Sequence, residues 1–293
     1  MINVANPVMA GAFKDPFTGS NLGDALFGAG AFFCPLLIVL LERRIGFDKG
    51  VTIIALLALL PFGLAFGLDL GGGELKGQVG KAFEGFGQLL RDKTVWLLGL
   101  TLLCWVVIES GTAGWATTLV KESRSTSGGQ SDATSDRTAA RALSAFWLCF
   151  MGSRLLTAFL IHDAQISSAE LVRITQRLQI TIAILAVLAM VGLAVVRSRG
   201  LVIVIVVCAG FIFGPFFPNM IGQLFTHLGA SNQMAWAGRA VGMLFACASV
   251  GWTLLPAAMG FVARDRGIRR AFLLPAACGV VMTVLILVNR ISG

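Results

Sequence analysis

Arg154 is the only charged residue in "LCFMGSRLLTAFL", residues 148–160. A guanidinium keeps its charge and carries five N–H donors with no acceptor, so the fold must supply oxygens, a counter-charge or a route to water. The sequence offers one obvious carboxylate, Glu109, itself the only charged residue in the run 94–120. Glu109 lies 11 residues before position 120, and Arg154 lies 12 after position 142. If the two runs are antiparallel neighbouring helices, both groups sit roughly 17–18 Å from the same end. Three readings stay open: an internal ion pair that meets a bound ligand, an ion pair that only fixes a helix hairpin, and an arginine that snorkels to an interface.

Other residues have ligand-binding chemistry without catalytic chemistry. Asn219 and Gln223 in "FPNMIGQL" are spaced i, i+4 and share one helix face. Each amide both donates and accepts, so the pair reads either as a polar ligand site or as hydrogen-bonding glue between helices. Asn6 is a weaker candidate of the same kind. Trp147 offers an aromatic face for stacking, with an interfacial belt as the other reading; Trp115, near a helix end, reads as belt. His162 and His227 have no acidic or cysteine partners at ligand spacing, and no HExxH, Walker A or G-x-S-x-G motif occurs. No enzyme chemistry, cofactor or metal is expected. The six cysteines all lie in apolar runs and form no close CxxC pair, so they read as small buried hydrophobes.

The elements that must position these groups follow from composition. Of 293 residues, 56% are hydrophobic and only 13% charged, with mean hydropathy +0.83, against about 45–50% and 25% for soluble domains. Apolar residues fall in eight blocks, 22–41, 51–68, 94–120, 142–161, 178–196, 200–224, 236–262 and 270–289. Most are long enough for a hydrocarbon core, which takes about 20 helical residues. The blocks are continuous, not alternating, which excludes a β-barrel. Gly and Pro inside them, including "GPFFP" at 214–218, are tolerated in membrane helices; that motif reads as a hinge or as packing. The expected fold is all-α, a polytopic membrane bundle. The net charge of +8 sits in short connections such as "ERR" and "RDRGIRR", so lipid headgroups, not nucleic acid, are the expected neighbours. "MINVANPVMAGAF" has neither a basic n-region nor an h-region, so no signal peptide is expected.

Two polar stretches divide the chain. Residues 69–93 are glycine-rich and read as a linker carrying a short interfacial helix at "KAFEGFGQLL". Residues 121–141 read as a mobile hydrophilic loop. The domains expected are therefore 1–68, with two full helices and a stub, the linker 69–93, and a six-helix unit over 94–293.

This uneven division is explained by a resemblance. "SNLGDALFGAGAFFCPLL", preceded by "NVANPVMAG", resembles the fifth helix and the end of the fourth in fucose-permease-like members of the major facilitator superfamily. "ESGTAGWATTLV", "LSAFWLCFMGSRLL", "GFIFGPFFPNMIG" and "GRAVGMLFACASVGWTLLPAAMGFVA" are similar to the seventh, eighth, tenth and eleventh helices, in order. The resemblance implies a chain of about eight transmembrane helices that lacks the family's first three and most of the fourth. It implies a transporter of a sugar or similar small polar solute, working by alternating access between two six-helix halves, in the cell (inner) membrane. Glu109, Arg154, Asn219, Gln223, Trp147 and Asn6 become candidate substrate-binding residues, amides and a tryptophan suiting a ring of hydroxyls. A coupling ion, H+ or Na+, would make it a symporter, but residues 1–5 lack the carboxylate that proton-coupled members carry before the Asn-Pro. The other reading is a membrane scaffold or sensor that keeps the fold without transport. The resemblance places the linker in the cytoplasm. The distribution of Lys and Arg runs against that orientation, which is kept because the first helices usually dominate insertion.

Overall fold

A computed structural model of the chain describes residue 13 and residues 15–67, 85–123, 132–162 and 167–292. Among these residues the long elements are all helices: α1 (Pro16–Ile45), α2 (Phe47–Gly67), α3 (Lys93–Glu122), α4 (Asp132–His162), α5 (Ser168–Val195), α6 (Arg199–Phe213), α7 (Phe216–Ala230), α8 (Ala237–Arg266) and α9 (Leu273–Ser292). Six spans, with α6 and α7 counted as one, are long and apolar enough to cross a membrane. Ahead of them stand α1 and α2, of 30 and 21 residues. Among the described residues each apolar block of the sequence is helical over most of its length, the block 200–224 being shared between α6 and α7.

The helices outrun the blocks because polar residues cap their ends. Asp15 accepts a hydrogen bond from the Thr18 N–H at 2.7 Å, with Pro16 in the first turn. Asp92 accepts from Thr94 and Val95 and starts α3. Ser167 caps α5 through the Glu170 N–H. Each cap satisfies N–H groups that a helix start leaves without partners, typically for about 1 kcal/mol. For the same reason the polar stretch "KDPFTGSN", residues 14–21, ends in helix: its last six residues open α1. Likewise α4 begins at Asp132, so helix takes part of the stretch read as the 121–141 loop. Of the expected interfacial helix at 81–90, the structure describes a single turn, Phe86–Leu89, with Leu89 buried. Asn6 and most of the linker lie outside the described residues.

The bundle is built inside out relative to a soluble protein. Phe159, Val195 and Phe261 are about two-thirds exposed, at 68%, 67% and 66%. Meanwhile Asn21 and Asn219 are fully buried, and Arg154 is 4% exposed. In water that much uncovered hydrocarbon would cost about 25 cal/mol per Å²; against lipid it costs nothing. Aromatic packing fills the interior of the six-helix unit. Trp105 of α3 stacks on Phe216 at 4.2 Å and meets Phe213 edge-on at 5.3 Å. The N-terminal α1 docks onto this unit against α4 and α7, while α2 packs on α1.

One rod is broken. The α6–α7 segment turns at Gly214 and Pro215. Gly214 lies so close to Ser153 Oγ and the Phe150 carbonyl of α4 that any Cβ there would overlap them. Pro218, four residues on, has no N–H, so the helix cannot satisfy the Gly214 carbonyl from within.

Candidate functional site

That stranded carbonyl answers the question of Arg154. Arg154 Nε donates to Gly214 O at 2.8 Å, and its NH1 donates to the backbone oxygen of Asp24 at 3.0 Å. Its guanidinium lies 4.3 Å from the centre of the Phe150 ring, one turn earlier on α4. A buried cation is tolerated where hydrogen-bond acceptors and an aromatic face replace its water. Arg154 therefore joins three rods: its own α4, the broken α6–α7 segment and α1.

The expected ion pair between Arg154 and Glu109 does not form. Among the described residues no carboxylate reaches salt-bridge distance of Arg154. Matched depth did not suffice, because the guanidinium turns toward the break and α1, where two carbonyls already use its donors. Its charge still reaches two carboxyl groups through space, those of Glu109 and Asp24. Glu109 is half-buried on α3, one turn beyond Trp105.

Asn219 and Gln223 share a face of α7, yet each has a different partner. Asn219 Oδ1 accepts from Asn21 Nδ2 at 2.9 Å, across the seam between α7 and α1. Gln223 Nε2 donates to Gln179 Oε1 on α5, also at 2.9 Å. Neither bond uses up its residues. Asn219 Nδ2, Asn21 Oδ1 and Gln179 Nε2 are buried with no hydrogen-bond partner, as are Thr18 Oγ1, Ser20 Oγ and Asp24 Oδ2 on α1. Trp147 is partly buried, with its ring edge-on to Phe146 and Phe150. It stands one turn from the ring beneath Arg154 and belongs to the same aromatic column.

The structure thus puts Arg154 and Asn219 against α1 and pairs Gln223 with α5, while Trp147 packs on Phe146 and Phe150 and Glu109 has no hydrogen bond or salt bridge to Arg154. Sequence reasoning missed the α1 contribution: Thr18, Ser20, Asn21 and Asp24. The signal was present, since Asn21 and Asp24 are spaced i, i+3 and share a face. The apolar block starts at residue 22, whereas α1 starts at Pro16, so Thr18, Ser20 and Asn21 fall outside the block. Close approach is what buries this seam: a Cβ on Gly222 would overlap the Phe17 ring of α1.

No family model and no curated protein matches the chain. Solved structures do. One is a major facilitator superfamily transporter, FucP, in the outward conformation, with TM-score 0.68 and 17% identity over 98% of this chain and 72% of that one. Another is a variant of the E. coli fucose:proton symporter FucP, with TM-score 0.67, 17% identity and the same coverage. Over nearly its whole length the chain therefore has the fold of these major facilitator transporters.

Proposed function

We propose that the chain moves a hydroxyl-rich solute, a sugar or similar small polar molecule, across a cell membrane by alternating access, with the polar seam as its binding surface. One observation carries this reading. Donor and acceptor atoms, including Asn219 Nδ2, Asn21 Oδ1, Ser20 Oγ and Asp24 Oδ2, are buried in the seam without partners. In a bilayer such groups are expensive and mark solute and ion pathways. A hydroxyl both donates and accepts, so a polyol matches a seam that presents both kinds of atom. Opening α1 away from α4 and α7 would bring these atoms to the solute, and closing it would bury them again. Arg154, which bonds to the backbone of both sides, would hold the closed state. Likeness to a fucose:proton symporter supports the sugar class. Asp24 and Glu109 are the carboxyl groups at which a coupling H+ or Na+ would act.

The test is solute counterflow in proteoliposomes of the purified chain, run with a panel of monosaccharides. Wild type should accumulate at least one sugar, and Arg154→Ala, Asp24→Asn and Glu109→Gln should lose most of that accumulation. Unchanged counterflow in Arg154→Ala and Glu109→Gln would remove both residues from the site. A wild-type chain that neither exchanges any sugar nor gains thermal stability from one would overturn the transport reading and favour a scaffold.

A further inference from the structure

The charge around the polar seam is unbalanced, and the imbalance bears on the kind of solute it suits. Arg154 on α4, Asp24 on α1 and Glu109 on α3 lie within electrostatic reach of one another. One cation faces two carboxyl groups, so with all three ionised the cluster carries one negative charge in excess. Arg154 does not relieve either carboxylate by contact. Its Nε and NH1 donate to the backbone oxygens of Gly214 and Asp24, and among the described residues it makes no salt bridge.

The atoms that α1 leaves without partners on the Asp24 face add to this. Asp24 is 9% exposed, and its Oδ2 is buried with no hydrogen-bond partner. Asn21, three residues earlier on the same face, is fully buried, and its Oδ1 has no partner either. An amide oxygen and an ionised carboxylate oxygen only accept. A hydroxyl can give each of them a hydrogen but no charge, and a carboxylate buried without a counter-charge is costly. An ammonium has three donors, no acceptor and the missing charge. Its bonds to a carboxylate are also about twice as strong as neutral ones. Across the seam the need is the opposite. Asn219, bonded to Asn21 at 2.9 Å, has an unpartnered donor in its Nδ2, which suits a hydroxyl or ether oxygen. Acceptors on α1 and a donor on α7 thus stand within the span of one small molecule.

Resting on the transport reading above, we propose that the solute is an amino sugar or a similar polyol amine, its ammonium held by Asp24 Oδ2 and Asn21 Oδ1 and a ring oxygen or hydroxyl by Asn219 Nδ2. Such a solute brings its own positive charge to a place where a neutral sugar would need a coupling ion.

Isothermal titration calorimetry of the purified chain in detergent with glucosamine, glucose and N-acetylglucosamine, at slightly acidic pH, tests this. The three share a ring, and only glucosamine carries a charged amine. It should bind wild type roughly tenfold more tightly than the other two, the gap between a charge-assisted and a neutral hydrogen bond. Asp24→Asn keeps the shape of the side chain and should bring glucosamine to the affinity of glucose. Glu109→Gln, outside the proposed contacts, should keep most of the preference. Equal affinity for glucosamine and glucose in wild type would overturn the inference and leave transport of a neutral sugar standing, with Asp24 carrying a proton instead. A preference that survives Asp24→Asn, or that Glu109→Gln removes just as fully, would overturn the assignment to Asp24. Binding of none of the three would also overturn the inference, and only if no sugar is exchanged in counterflow does the transport reading fall with it.

Discussion

Replacing Arg154 by Met and Pro218 by Ala, singly and together, isolates the bond that joins α4 to the broken rod. The Gly214 carbonyl takes its hydrogen bond from Arg154 Nε because residue 218 has no N–H to offer. The backbone there is otherwise close to helical: Gly214 and Pro215 are both in the right-handed helical region, and the next bond along, Asn219 N–H to Pro215 O, forms at 3.2 Å. Alanine at 218 would therefore place an N–H where the Gly214 oxygen can use it. Arg154→Met alone has opposed consequences. It strands a buried carbonyl, at about 1–3 kcal/mol, and it removes an arginine whose insertion costs roughly 2.5–3.5 kcal/mol. The net sign of the single variant thus says little, and the coupling between the two sites is the informative quantity. Pro218→Ala should lower the cost of Arg154→Met by about 1–1.7 kcal/mol, the upper end of what membrane hydrogen bonds yield in double-mutant cycles. Reversible unfolding of the four proteins in mixed dodecyl maltoside–SDS micelles, followed by tryptophan fluorescence, measures it. Energies that add to within about 0.3–0.5 kcal/mol would mean no coupling, and the account of Arg154 as the donor that Pro218 makes necessary would be wrong.

The remaining predictions concern the seam and the caps. Gly222→Leu drives a side chain into the Phe17 ring, so it should destabilise the bundle by about 1–3 kcal/mol. It should also abolish short-range crosslinking of an Asn21→Cys/Asn219→Cys pair across the seam. Asn21→Leu and Asn219→Leu each leave the partner amide unmatched, at about 1–3 kcal/mol, whereas the double change should be nearly neutral for stability; the same unfolding assay compares them, and sugar counterflow should still fail in the double variant. Asp92 has two tasks, capping α3 and accepting a hydrogen bond from His227 Nε2 at 2.7 Å. Asp92→Ala should cost about 1 kcal/mol more than Asp92→Ser, which keeps the cap and loses only the histidine contact; equal losses would show that the cap contributes nothing.

The sequence alone determined the solvent, and with it the fold class. Long uninterrupted apolar runs satisfy their backbone in lipid by becoming helices, and among the described residues these runs did, with one break at Gly214 and Pro215. It also pointed to Arg154, because a lone cation in such a run must be given something, and to Asn219 and Gln223, because their spacing puts them on one face. Tertiary structure decided what each of these groups meets. Glu109 was the reasonable partner for Arg154 on depth, but depth along a helix says nothing about rotation around it. The guanidinium turned to a carbonyl exposed by Pro218, 64 residues further along the chain. Three of the four polar residues that α1 brings to the seam, Thr18, Ser20 and Asn21, escaped notice for a related reason. A hydropathy boundary records where apolar side chains begin, while Asp15 starts the helix seven residues before Leu22, and only the packing of α1 on α7 turns that polar first stretch into an interior surface.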